Sequence, residues 1–252
     1  LYFQARKFIT MQLQFRLPLA IMLVLLALIY AHGCSLKPNA VPKNEFGLQV
    51  IDRLQTYRYT VKTDTNQKMM LLPSIIPDLV TDWRYATTNN FTGTVLYHQP
   101  DAFLRQPAAL ALQQVQADLK LKGLGLKLFD AYRPYSVTRK MWEKVPDERY
   151  AANPAKGSGH NRGAAVDVTI IDIITGQELA MPTPYDDFTE KAHHNYANLT
   201  AEVLANRALL KSTMEKHGFL ALSTEWWHYY WPNAAQHFML MDLSFEALRK
   251  AQ

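Results

Sequence analysis

With one cysteine in 252 residues, the chain cannot close an internal disulfide, so a packed core has to supply its stability. It also lacks any block of lysine and arginine. The formal charge of +5 is spread along the sequence, which excludes the basic stripe of a nucleic-acid interface and reads as a solubility property. The apolar run from Leu17 to Tyr30 is short for a membrane-spanning helix. No internal repeat and no low-complexity tract divides the chain. What remains is a sequence of 48% hydrophobic residues, long enough to bury one substantial core, and one folded domain is expected.

The N-terminal segment reads as a succession of processing signals. Leu1-Tyr2-Phe3-Gln4 resembles the remnant of a protease-cleavable expression tag, so residues 1–10 are set aside from fold reasoning. From Met11, Arg16 precedes the apolar run, a pattern that suits a signal peptide over 11–33. Ala31-His32-Gly33-Cys34 resembles a bacterial lipoprotein processing box, with His32 an unusual residue in it. In that reading Cys34 is lipidated after cleavage and tethers an exported protein to a membrane of the cell envelope, facing the periplasm or the cell exterior. An ordinary signal peptide and a retained anchor are the alternatives. Residues 34–44, with Pro38 and Pro42, read as a polar tether, and the domain runs from 45 to 252.

Within the domain, Ala108, Ala111, Leu112, Val115 and Leu119 recur at helical spacing, with Pro107 in the first turn and Gly123 at the C-terminal cap. Leu124, Leu126 and Leu128 then alternate as in a strand that delivers Asp130 to Pro134 at its end. Ser136 is expected to cap a short helix containing Val137, Met141 and Trp142. Val166 to Ile171 is β-rich and carries Asp167, and Thr175-Gly176 turns the chain. Thr200 opens a further helix that closes at Gly218, and Phe238 to Leu243 offers a last strand. Helices and strands do not alternate regularly, which favours an α+β domain with a mostly antiparallel sheet and flanking helices.

Two motifs carry the chemistry. Ser158-Gly-His160-Asn-Arg-Gly163-Ala-Ala-Val-Asp167 is followed by Glu225-Trp-Trp-His228. Two histidines and a carboxylate supply three protein ligands and leave a fourth position open, as a hydrolytic zinc requires, so His160, Asp167 and His228 are the candidate ligands of one Zn2+ per chain in a cleft. Gly163 allows the turn between the first two. Glu225 lies three residues before His228, within reach of a water as general base, and the indoles of Trp226 and Trp227 indicate a mostly buried, aromatic-walled cleft. Arg133 has a permanently charged guanidinium that can stabilise an oxyanion, although a structural arginine beside proline would look the same. Ser158 is read equally as a substrate contact or as a turn residue bonding its own backbone. His193 and His194 are read as solvated loop residues outside the site.

The ordered motifs resemble those of the D-alanyl-D-alanine dipeptidases, zinc enzymes related to the peptidoglycan D,D-carboxypeptidases. Agreement extends to Trp83-Arg84-Tyr85-Ala86-Thr87, Asn90-Phe91-Thr92-Gly93, Phe129-Asp130-Ala131-Tyr132-Arg133-Pro134 and Met181-Pro-Thr-Pro-Tyr185-Asp186, and covers roughly Glu45 to the C-terminus. The resemblance implies hydrolysis of D-alanyl-D-alanine, or of a related D-amino-acid dipeptide, in cell-wall metabolism. It gives Arg133 the oxyanion role, Asp186 a contact to the substrate ammonium, with Asp187 as its confounder, and Tyr85 a place in the pocket wall, although a core tyrosine would look the same. A D,D-carboxypeptidase that trims peptidoglycan stems and a catalytically silent zinc fold are the rival readings.

Overall fold

The computed structural model describes residues 40–252. The tag remnant, the signal peptide and Cys34 with its lipidation lie outside the described residues. No helix among the described residues is long and apolar enough to cross a membrane. In chain order the strands are β1 (Val50–Ile51), β2 (Met69–Leu71), β3 (Val80–Thr81), β4 (Phe103–Arg105), β5 (Leu124–Asp130), β6 (Ala165–Asp172), β7 (Leu220–Ala221), β8 (His228–Tyr230) and β9 (Leu240–Met241). The longer helices are α1 (Leu54–Thr63), α2 (Gln106–Lys120), α3 (Tyr135–Lys144) and α4 (Ala201–Lys216), and α5 (Phe245–Arg249) closes the chain.

The central sheet has the order β3-β5-β6-β8-β7, parallel between β3 and β5 and antiparallel at the other pairings. This is the α+β architecture with a mostly antiparallel sheet and flanking helices that the irregular order of elements predicts. β6 is buried at every position but its last, and β5 at all but two, so both faces of the middle of the sheet are covered. Helix α2 packs beside β5 with Ala108, Leu112, Val115 and Leu119 buried, the stripe expected from their spacing. Its Gln116, buried among them, accepts a hydrogen bond from the Leu126 backbone N–H at 2.7 Å and so ties helix to strand. Thr200 caps α4 by accepting from the Val203 N–H, as its position predicts.

Two expectations are corrected. Ser136 lies inside α3, which has no side-chain cap; its N–H and hydroxyl both bond Asp242 from the far end of the chain, at 2.9 and 2.7 Å. The apolar stretch from Phe238 to Leu243 gives only the two-residue β9, which pairs parallel with β1 outside the central sheet.

Asp130 and Asp167 stand opposite each other on β5 and β6 because the register shifts between Leu128 and Asp130. Leu128 pairs with Val168 and Asp130 with Asp167, which leaves Phe129 as the extra residue of a bulge. Asp167 in turn faces His228 on β8. One row across three neighbouring strands therefore carries Asp130, Asp167 and His228.

Candidate active site

His160 reaches the end of this row from a single 3-10 turn, His160–Arg162, that closes on Gly163 with φ +66°. That left-handed conformation favours glycine, and a Cβ there would also press on the Met69 Cε at 2.5 Å, the movable end of a flexible side chain. The His160 Nδ1–H donates to the Ala131 carbonyl at 2.7 Å, which leaves Nε2 as the free lone pair. That Nε2 lies 3.2 Å from His228 Nδ1 and 3.5 Å from Asp167 Oδ1, and the last two atoms are 2.9 Å apart. Ligands about 2.0–2.1 Å from a tetrahedral centre stand about 3.3–3.4 Å from one another. The donor set and its spacing fit a small divalent cation, and these three residues form a metal-capable group among the described residues.

Burial opposes charge on Asp167, but the imidazoles of His160 and His228 more than reverse that effect and hold its carboxyl well below the usual range. Its second oxygen accepts a hydrogen bond from the Tyr185 hydroxyl at 2.9 Å. Tyr185 also lies 3.1 Å from the Tyr85 hydroxyl, which donates to Asp186 Oδ1 at 3.1 Å. Burial, reinforced by the neighbouring carboxylates, raises both phenols well above their ordinary values and keeps them protonated. The other oxygen of Asp186 is buried without a partner. Asp186 itself sits at φ +64°, a left-handed conformation that is uncommon outside glycine and turns its side chain into the cleft. Burial, with Asp167 nearby, pushes its carboxyl up to about 7.

Glu225 precedes β8 and places Oε2 3.9 Å from His228 Nδ1. Burial is the main cause that raises its carboxyl to about 7, with Asp167 and Asp186 adding to it and His228 and Arg133 opposing. Arg133 is buried just beyond β5. Its Nε and Nη2 both donate to Asp130 Oδ2, at 2.9 and 2.7 Å, and its guanidinium carbon lies 5.1 Å from the centre of the Tyr85 ring. His160, Asp167, His228, Tyr85, Asp186, Glu225 and Arg133 line one cleft of about 210 Å³, with Trp227 in its wall.

The structure thus brings His160, Asp167, His228, Glu225, Arg133, Asp186, Tyr85 and Ser158 to one cleft. Ser158 takes the turn role: its hydroxyl accepts from the Asn161 N–H at 3.1 Å, and its own N–H donates to Asn161 Oδ1. Asp187, the confounder of Asp186, accepts instead from the Thr189 N–H at 3.0 Å. His194 is half-buried and not a solvated loop residue; its N–H donates to the Ser223 carbonyl, two residues before Glu225.

A family model for the D-ala-D-ala dipeptidases of the M15 peptidases matches residues 65–247. The chain belongs to this M15 peptidase family. The matched span holds every candidate residue from Tyr85 to His228. The D-alanyl-D-alanine dipeptidase of Escherichia coli K12 is 35% identical over 180 residues, 71% of this chain and 92% of that protein. The D-alanyl-D-alanine dipeptidase of Enterococcus faecalis V583 is 32% identical, over 59% of this chain and 83% of its own length. Among solved structures, the LdcB LD-carboxypeptidase covers 84% of this chain and 94% of its own at 16% identity and a TM-score of 0.41, a likeness too loose to bear on the reaction.

Within this M15 chain, sequence reasoning left three supporting residues without a role. Asp130 anchors Arg133, Tyr185 holds the second oxygen of Asp167, and the fully buried Asn161 donates to the Arg133 carbonyl at 2.9 Å, joining the His160 turn to the Arg133 segment. Asp130 and Tyr185 stand inside quoted motifs and Asn161 between two ligands, which was the available signal.

Proposed function

We propose that this chain is a zinc-dependent dipeptidase that hydrolyses D-alanyl-D-alanine, or a related small D-amino-acid dipeptide, to free amino acids in cell-wall metabolism. The observation that carries the reading is the unpartnered, buried oxygen of Asp186 in the same small cleft as Arg133, Glu225 and the His160, Asp167 and His228 group. An acceptor left unsatisfied in a buried wall suits a ligand that brings its own donor, and the free ammonium of a dipeptide is such a donor.

In this reading His160 Nε2, Asp167 Oδ1 and His228 Nδ1 hold the metal. Bound there, a zinc ion would polarise the scissile carbonyl and ease the ionisation of water. Glu225 takes a proton from the attacking water as its oxygen bonds to the carbonyl carbon, a task suited to a carboxyl pushed up to about 7. The same carboxyl returns that proton to the amine nitrogen as the C–N bond breaks. Arg133, fixed by Asp130, places its remaining N–H groups toward the oxygen on which negative charge develops. Asp186, oriented by Tyr85, receives the substrate ammonium. The lipid anchor at Cys34 and placement in the cell envelope remain part of the proposal on sequence grounds alone. Outside the cytoplasm, salvage of wall-derived dipeptides suits such a protein better than removal of an intracellular precursor.

Incubating the zinc-loaded protein with D-Ala-D-Ala, L-Ala-L-Ala and a pentapeptide stem, and quantifying free alanine, tests the reading. Release from D-Ala-D-Ala alone is the expected result. Preferred release from the pentapeptide would make the protein a carboxypeptidase, and release from none would leave a silent zinc fold.

A further inference from the structure

Three cavities meet at one side chain. The catalytic cleft of about 210 Å³ adjoins a groove of about 570 Å³ bounded by Phe91, Val145 and Thr189, and another of about 590 Å³ bounded by Arg149, His193 and Thr224. Phe188 lines all three. Its half-buried ring is held edge to face by Tyr150, Phe91 and Trp227, with centroids 5.1, 5.6 and 5.9 Å away. The turn that presents it is fixed on both sides, by the left-handed Asp186 and by the Asp187 carboxylate bonded to the Thr189 N–H.

The position of this ring matters because of what lies next to it. Asp186, the candidate ammonium contact, lines both the cleft and the first groove, and Tyr150 and Phe188 are the two other residues they share. A residue added to the amino end of a dipeptide would start at the ammonium nitrogen and would have to pass between those aromatic side chains to reach the groove.

We propose that Phe188, braced by Tyr150, is the wall that ends the catalytic cleft and sets the length of peptide it accepts. The inference rests on reading the cleft as a peptide site with its amino end at Asp186. Phe188 here determines specificity and takes no part in bond breaking. Removing the ring joins the cleft to a groove more than twice its volume, so longer peptides gain room while the reacting groups stay where they are.

The test compares D-Ala-D-Ala with Gly-D-Ala-D-Ala, the same dipeptide extended by one residue at its amino end. In the zinc-loaded protein, kcat/KM for the tripeptide relative to the dipeptide should rise at least tenfold in Phe188→Ala and in Tyr150→Ala, and stay low in Phe188→Tyr. Thermal unfolding establishes that each variant is folded. The same ratio is read as binding affinity by calorimetry in a Glu225→Gln background. If the wild type hydrolyses neither peptide, the dipeptidase reading falls, and the affinity ratio still decides the wall. A smaller rise than tenfold in both folded variants, in turnover and in affinity, overturns the proposal, as does a wild-type protein that takes the tripeptide as readily as the dipeptide.

Discussion

Asp130 holds Arg133 by one carboxylate oxygen that accepts from both Nε and Nη2, while its other oxygen accepts from the Tyr97 hydroxyl at 2.8 Å and the Ala131 N–H at 2.9 Å. The pair is buried, and two further donors fix the orientation of the carboxylate, so the guanidinium has little freedom to turn. Burial works against the charge on Arg133, and Asp130 more than offsets it, so the guanidinium is held well above its ordinary value.

That geometry makes Asp130 a positioning residue whose loss should appear in turnover. Asp130→Asn keeps the shape but replaces a charge with an amide, and it is expected to lower kcat at least tenfold while zinc content stays stoichiometric. Asp130→Ala leaves a buried guanidinium unpaired and should also cost ~3–5 kcal/mol of stability. Kinetics together with urea unfolding of the two variants separates the effects; full activity in Asp130→Asn would show that Arg133 needs no fixed partner.

Metal content is the direct check on the ligand group. His160→Ala and His228→Ala each leave two protein ligands, too few for a catalytic zinc site, and both should lose stoichiometric zinc and activity. Asp167→Asn should weaken binding less completely, because the amide oxygen is a neutral and poorer donor. Elemental analysis after dialysis reads the outcome.

Glu225→Gln should keep both zinc and fold yet lose about 10²-fold or more in turnover, the scale of a positioned acid–base group. Arg133→Lys should likewise be severely impaired, since an ammonium lacks the planar fork that Asp130 grips. Near-wild-type turnover in the glutamine variant would mean that another group moves the proton.

Asp186 and Glu225 also make the metal-free protein pH-sensitive. Their folded pKa of about 7 lies above the unfolded carboxylate value of about 4. Between those values the folded state binds more protons, so stability is lost as pH rises from about 4 to about 7. Asp186→Asn or Glu225→Gln removes one such group and should stabilise the chelated protein at pH 8 relative to pH 4, each on the order of 2–4 kcal/mol. Denaturant unfolding in chelator at the two pH values measures the difference, and parallel pH dependence in wild type and variants would exclude it.

A blocked amine should disturb the Asp186 contact. N-acetylation of D-Ala-D-Ala removes the positive charge and leaves a buried carboxylate unpaired, a loss on the order of 2–5 kcal/mol. Asp186→Asn should narrow the gap between free and acetylated dipeptide, chiefly by weakening the free one. Equal cleavage of both by the wild type would remove the ammonium contact from the site.

The gathering of the metal-capable group and Glu225 in one place was legible in the sequence because the residue types suit one chemistry, and two short motifs hold all four. Arg133 was legible only as one of two possibilities, since its worth depends on Asp130 beside it and on a Tyr85 ring 48 residues earlier in the chain, beneath its guanidinium. The role of Ser136 was misread for the same reason: the group that takes its hydroxyl is Asp242, 106 positions away. Helical spacing identified α2 and α4 well, because one element's own residues carry that signal. Registers, bulges and side-chain partners belong to pairs of segments, and no local pattern around Leu128 marks where β5 and β6 slip past each other.

That slip has a consequence for how the site is brought into line. Phe129 is one residue of surplus on one strand, and it sets the phase between everything before it and everything after it. Were the ladder to run on from Leu128 and Val168 without the bulge, Phe129 would face Asp167 and Asp130 would face Val166, carrying Arg133 one position out of step with His160 and His228, although every functional residue would still be present. A chain could thus carry every motif and still fail as a catalyst, because the phase in which β5 meets β6 carries information that the motifs do not.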